Sequence, residues 1–100
     1  MTRTIKNAVE GKEKAYFYLE DDKMKKLFVE MLVAEGCTFG NNPVTADFKA
    51  ESIMSVDKDM NVFFVGQAGR MIMKSKQAND SIVKIDFEKY VEGDSDFYIK

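Results

Sequence analysis

The chain has 100 residues, of which 45% are apolar and 32% are charged, and its formal net charge at pH 7 is −2. This length and apolar content suit one globular domain with its own core and exclude a wholly disordered chain. We therefore predict a single domain over residues 1–100. The slightly acidic balance argues against general nucleic-acid binding, although a local basic face is compatible with it.

Several kinds of chemistry lack their usual residues. The sequence contains no histidine and one cysteine, Cys37. A nucleophilic Cys or Ser then lacks its usual base, and zinc lacks its commonest ligand. We also find neither EF-hand spacing nor the ending of a phosphate-binding loop. We therefore predict no enzymatic activity, no cofactor and no metal site, and we interpret Cys37 as a small buried apolar residue.

The sequence also lacks the features of a membrane or secreted protein. No uncharged apolar run approaches the roughly 18–20 residues that cross a bilayer. Residues 1–14 lack the apolar centre of a signal peptide, and one cysteine cannot form a disulfide framework. These features predict a cytoplasmic protein that has no membrane partner.

In chain order, residues 1–13 mix charges with isolated apolar side chains, a pattern that leaves a flexible arm and an edge strand both open. Residues 14–19 alternate, with Ala15, Phe17 and Leu19 on one face and two tyrosines on the other. Alternation of this kind, rich in aromatic side chains, predicts a strand.

Residues 20–36 contain the clearest pattern in the chain. Asp21 or Asp22 can cap the first turn of a helix, and Gly36 can adopt the left-handed conformation that ends one. Between these ends, apolar side chains recur at the spacing of a helical stripe, which predicts an amphipathic helix. The stripe comprises Met24, Leu27, Phe28, Met31 and Leu32.

The next segments indicate short strands and turns. Residues 37–39 are β-prone, and we predict that they return beside the first strand to complete a β-α-β opening. Residues 40–43, which include glycine, asparagine and proline, predict a turn. Residues 51–57 and 61–65 predict the two arms of a β-hairpin.

The last third of the chain is less regular. Residues 70–76 fit either a strand or one or two turns of helix. Residues 82–87 predict a strand, and Asp86 can cap a short helix that stops at Gly93.

These elements predict an α+β fold in which one principal amphipathic helix packs on a mostly antiparallel sheet of four to six strands. We expect the helical stripe to contact one apolar face of that sheet. The expected sheet residues are Phe17, Leu19, Phe39, Val62, Phe64, Val83 and Ile85.

Acidic and aromatic side chains near the C-terminus are the leading candidates for a binding surface. Acids this dense can dock against a basic protein surface, including one that normally holds nucleic acid, and tyrosines favour interfaces. We therefore predict contact with a larger protein through Asp86, Glu88, Glu92, Asp94, Asp96, Tyr90, Phe97 and Tyr98.

Two alternatives remain open. If residues 70–76 form a strand, Arg70, Lys74 and Lys76 share one face and could contact a nucleic-acid backbone. The abundance of aromatic and methionine side chains is also compatible with a structural homo-oligomer.

In size and general character, over the whole chain rather than at any one motif, the sequence resembles the short proteins by which phages and mobile elements block bacterial defence systems, anti-CRISPR proteins among them. This resemblance implies an inhibitor or accessory protein that covers a surface of a larger partner, a nucleic-acid-binding effector in particular. It also implies that the acidic segment 86–96 and the exposed aromatic side chains form the contact surface.

Overall fold

The computed structural model describes residues 3–66, Met71 and residues 82–99. Within this part of the chain, three helices, one four-stranded sheet and one two-stranded sheet form an α+β fold, which confirms the predicted class. The helices are α1 Ile5–Val9, α2 Asp22–Ala34 and α3 Phe87–Val91. The strands are β1 Lys14–Tyr18, β2 Thr38–Phe39, β3 Asn42–Pro43, β4 Ile53–Asp57, β5 Val62–Phe64 and β6 Ile82–Asp86.

The larger sheet has the strand order β5-β4-β1-β6. The central strand β1 runs antiparallel to β4 and parallel to β6, so that Phe17 lies opposite Met54 on one side and Ile85 on the other. The β4 and β5 strands form the predicted hairpin. Beyond β6, the Asp86 amide donates to the Phe97 carbonyl at 2.8 Å. The C-terminal segment therefore lies along the outer edge of the sheet.

The α2 helix forms as its sequence predicts. The Asp21 side chain accepts a hydrogen bond from the Met24 amide at 2.9 Å, and Gly36 follows the helix with a φ of 73°. The Phe28 ring lies 5.2 Å from the Phe17 ring and 5.3 Å from the Phe87 ring, centroid to centroid. These three rings lie fully buried between the helix and the sheet, where they form the centre of the core.

Residues 37–39 do not return beside β1 as predicted. Gly40 and Asn41 both have positive φ, 59° and 69°, which is the backbone of a two-residue type I′ hairpin turn. The chain therefore folds straight back, and β2 pairs with β3 in a separate ribbon. The parallel neighbour of β1 is β6, which comes much later in the sequence.

The N-terminal residues form neither of the two structures that the sequence left open. Instead of an arm or an edge strand, α1 packs Ile5, Ala8 and Val9 into the core. Its first-turn amides receive side-chain partners: the Glu35 carboxylate accepts from Ile5 and Lys6, each at 2.9 Å. A helix of five residues shows little periodicity, so α1 could not be recognised from its spacing. Its cap comes from Glu35, which is distant in the sequence, so no local pattern indicates it.

The predictions for residues 70–76 and for membrane-spanning segments can be compared only with the residues that the structure describes. The choice between strand and helix for residues 70–76 lies outside it, apart from Met71, which is exposed. Among the described helices, none is long and apolar enough to cross a membrane.

Candidate interaction surfaces

Two acidic groups that are far apart in the sequence meet at one end of the large sheet. Because β1 and β6 are parallel, with Tyr18 opposite Asp86, the C-terminal ends of both strands lie side by side, and each strand is followed by a helix. Asp21 caps α2, and Asp86 caps α3 by accepting from the Lys89 amide at 3.3 Å. We call the resulting surface the acidic face. It comprises Glu20, Asp21, Asp86, Glu88 and Glu92.

Glu88 is the centre of this face in electrostatic terms. Partial loss of solvation raises the pKa of its carboxyl group, and the surrounding carboxylates, Glu20 foremost, raise it further. Within the part of the chain that the structure describes, Lys25 forms an ion pair with Asp22 at 3.8 Å, and no member of the acidic face forms an ion pair with another described residue. The carboxylates on this face therefore repel one another, and a cationic group placed against them would relieve that repulsion.

Clustered carboxylates can also serve as ligands for hard metal ions. Across residues 3–66, Met71 and 82–99, no three acidic or thiol side chains converge in a way that could hold a metal ion. Asp21 and Asp86 already occupy the helix N-termini as caps.

The structure divides the predicted C-terminal contact residues. Asp94 and Asp96 are exposed on the turn after α3, where the Asp94 side chain accepts from the Asp96 amide at 3.0 Å. Tyr98 is 44% exposed beside the β6 edge, and Phe97 is half-buried.

Tyr90 is the member that the structure removes from the predicted surface. It is only 4% exposed, and its hydroxyl donates to the Thr4 carbonyl at 2.6 Å. The Arg3 guanidinium lies 5.4 Å from its ring centre and 4.8 Å from that of Phe97. This side chain therefore fixes the N-terminal segment to α3 instead of lying on the surface, and partner contact through it stays a prediction.

The basic residues of the alternative site, Arg70, Lys74 and Lys76, lie outside the described residues. Nucleic-acid contact through them stays a prediction.

A second surface consists of three phenylalanines, two of which we expected in the core. Phe39 is 36% exposed and Phe64 is 43% exposed, so neither side chain belongs to the buried core. Both pack instead against Phe48, which lies in the segment after the β2–β3 ribbon. Alternation correctly placed Val62 and Phe64 on one face of β5, but it could not show that Val62 is buried and Phe64 is exposed.

A groove of about 570 Å³ lies between α2 and residues 46–50, and Phe48 is the member of the three that lines it. Its apolar wall includes Val29, Val33 and Phe48, and lysines stand along it. We call the three phenylalanines together with this groove the phenylalanine groove. The one signal for it in the sequence is Phe48, a large aromatic side chain between residues that are small, polar or charged.

Cys37 is buried as predicted, with 1% of its surface exposed. Burial raises the pKa of its thiol to about 11, and the nearby Glu35 carboxylate adds to the effect. The thiolate form, which is the nucleophile, is thus strongly disfavoured at neutral pH.

Comparisons with family models, with curated proteins and with solved structures each find no match for this chain. The chain is a small α+β protein whose described residues form an acidic and an apolar exposed surface.

Proposed function

We propose that this chain is a small non-enzymatic binding module that acts in the cytoplasm by placing its acidic face on a basic surface of a larger protein. The observation that supports this is the position of Glu88, which folding brings among the carboxylates of a distant segment. Its proposed partner is a nucleic-acid-binding effector, and the module blocks the surface that nucleic acid would occupy.

Local structure accounts for only part of the acidic face. Asp21 and Asp86 are required as helix caps. Glu88 and Glu92 make no side-chain hydrogen bond to another described residue, and their mutual repulsion lowers the stability of the unbound protein. A charge arrangement that is unfavourable alone becomes favourable against a basic partner, and it also accelerates association.

The test is a comparison of two matched variants. We expect Glu88→Gln combined with Glu92→Gln to weaken partner binding by about tenfold, because two carboxylates are lost from the contact. The control is Glu10→Gln combined with Glu51→Gln, which makes the same change in net charge at exposed positions outside the acidic face. The control should bind like the unaltered chain.

The measurement starts with affinity capture from a host lysate at low salt, followed by titration of the recovered partner. The proposal expects one stoichiometric partner, release at high salt, and competition by nucleic acid for the same site. Recovery of no stoichiometric partner, or equal affinity of the two variant pairs, would reject it.

A further inference from the structure

The phenylalanine groove has features of a second binding site that does not depend on the acidic face. Single exposed apolar side chains are ordinary, but a contiguous exposed group is not. The rings of Phe48 and Phe64 stack at 15° with centroids 5.5 Å apart, and Phe39 packs edge-on against both of them. On the α2 side, Val33 is 41% exposed and extends the apolar surface into the groove.

The charges along the groove indicate what would complement it. Lys25, Lys26 and Lys49 line it together with Asp22 and Glu30. Lys25 is paired with Asp22 at 3.8 Å, whereas Lys26 and Lys49 form no ion pair with another residue of the described ranges. An apolar floor beside two such lysines matches a ligand that has apolar side chains and neighbouring carboxylates.

We infer that the phenylalanine groove binds a helical peptide segment in which apolar side chains are flanked by acidic ones. The apolar side chains enter the groove between α2 and Phe48, and the carboxylates reach Lys26 and Lys49. This is the groove-binding mode in which apolar anchors give affinity and flanking charges give orientation.

The same features disfavour a nucleic-acid strand. Base stacking needs an open aromatic face, but Phe48, the one aromatic side chain that lines the groove, stacks on Phe64, and the other apolar lining residues are aliphatic. Asp22 and Glu30 would also repel successive phosphates, whereas a peptide can place its few carboxylates beside the lysines alone.

The experiment uses a fluorescent peptide of about a dozen residues with leucines at i and i+4 between glutamates. A second peptide carries lysines in place of the glutamates, and a third carries serines in place of the leucines. Fluorescence anisotropy should show saturable binding of the first peptide at least about tenfold tighter than that of either other peptide.

Two exposed lysines provide a matched pair of protein variants. Lys49→Glu should weaken binding of the acidic peptide by about fivefold or more, whereas Lys58→Glu, outside the groove, should change it by less than about twofold. Val33→Glu should also abolish binding, because it places a carboxylate in the apolar wall at a position exposed enough to keep the fold. Backbone amide shifts in NMR spectra should move at Val33, Ala46 and Phe48 on addition of the acidic peptide.

Other results would overturn the inference. Equal binding of the acidic and lysine peptides, or unchanged binding by Lys49→Glu, would remove the charge argument. Tighter binding of oligothymidylate at the same amides would assign the groove to single-stranded nucleic acid. A dimer in light scattering that Val33→Glu dissociates would assign it to a second copy of the chain. Glu88→Gln with Glu92→Gln should leave peptide binding unchanged, so that failure at one surface is distinguishable from failure at the other.

Discussion

At the scale of single residues, Cys37 shows how position decides reactivity. Its thiol is buried, with a pKa of about 11 instead of 9.0, so at pH 8 the thiolate fraction is roughly a hundredfold smaller than in the unfolded chain. We expect a thiol-specific chromogenic reagent to react with the native protein at least about a hundredfold more slowly than with the chain in denaturant. The measurement is the absorbance time course in each condition.

The pH dependence of this thiol has a definite sign. Because folding raises the pKa, the native state favours the neutral thiol, and the stabilisation from it is fully present below the unfolded pKa of 9.0. It is lost as the pH rises toward about 11. A native reaction rate at pH 8 that equals the rate in denaturant would contradict the buried environment.

At the scale of elements, segments whose determinants are local were predictable. The α2 helix has its stripe, its Asp21 cap and its terminal Gly36 within one continuous segment. The short helix α3 was predicted equally well, because Asp86 and Gly93 mark its ends in the sequence. These signals act through the backbone of neighbouring residues, so they can be seen without knowledge of the fold.

Elements that depend on distant partners were not predictable. The choice of β6 as the parallel neighbour of β1 is a tertiary pairing, and no spacing in the sequence specifies it. That pairing also brings Glu20 to Glu88, so the acidic residues could be named from the sequence but their convergence could not. The exposure of Phe39 and Phe64 likewise depends on tertiary packing and not on the spacing of neighbouring residues.

The α1 helix provides a test of such a distant determinant. Replacing Glu35 by alanine leaves the Ile5 and Lys6 amides without their carboxylate partner, and we expect the free energy of unfolding to fall by about 1–2 kcal/mol. Glu35→Gln keeps a side-chain acceptor oxygen and should lose less. The measurement is urea denaturation with hydrogen exchange of the α1 amides, which should accelerate in Glu35→Ala.

The control for this test is Glu30→Ala, a substitution at an exposed glutamate on α2, the helix that ends just before Glu35. It should leave the free energy of unfolding within about 0.5 kcal/mol of the unaltered value. If the two alanine variants are equally stable, the Glu35 carboxylate does not hold α1 in place.

At the scale of the whole molecule, the two proposed surfaces follow from how a small domain uses its elements. The parallel pairing of β1 with β6 places the N-termini of two helices, and the acidic residues there, at the C-terminal end of these two strands. On the edge strand β5 of the same sheet, the Phe64 side chain is left exposed. In a domain of 100 residues, the surface is large relative to the core, so part of the apolar surface stays exposed.

The Arg3 side chain, near the N-terminus, links the N-terminal segment to the end of α3. Its guanidinium donates to the carbonyls of Tyr90, Gly93 and Asp94, at 3.2, 3.3 and 2.6 Å, and so caps the C-terminal end of α3. We expect Arg3→Ala to lower the free energy of unfolding by about 1–3 kcal/mol, because the carbonyls lose a charged donor and the neighbouring rings lose a cation.

Arg3→Lys tests whether the geometry of the guanidinium matters or only its charge. A single ammonium group cannot contact three carbonyls in a planar fork, so we expect it to restore less than half of the lost stability. Lys6→Ala, which removes an exposed cation from α1, serves as the control and should change stability by less than about 0.5 kcal/mol. Urea denaturation followed by far-UV circular dichroism gives all three values. The Arg3 side chain joins residue 3 to residues 90–94. Hydrogen exchange of the backbone amides should therefore accelerate in both α1 and α3 of Arg3→Ala. Acceleration in only one of these helices would show that Arg3 does not couple them.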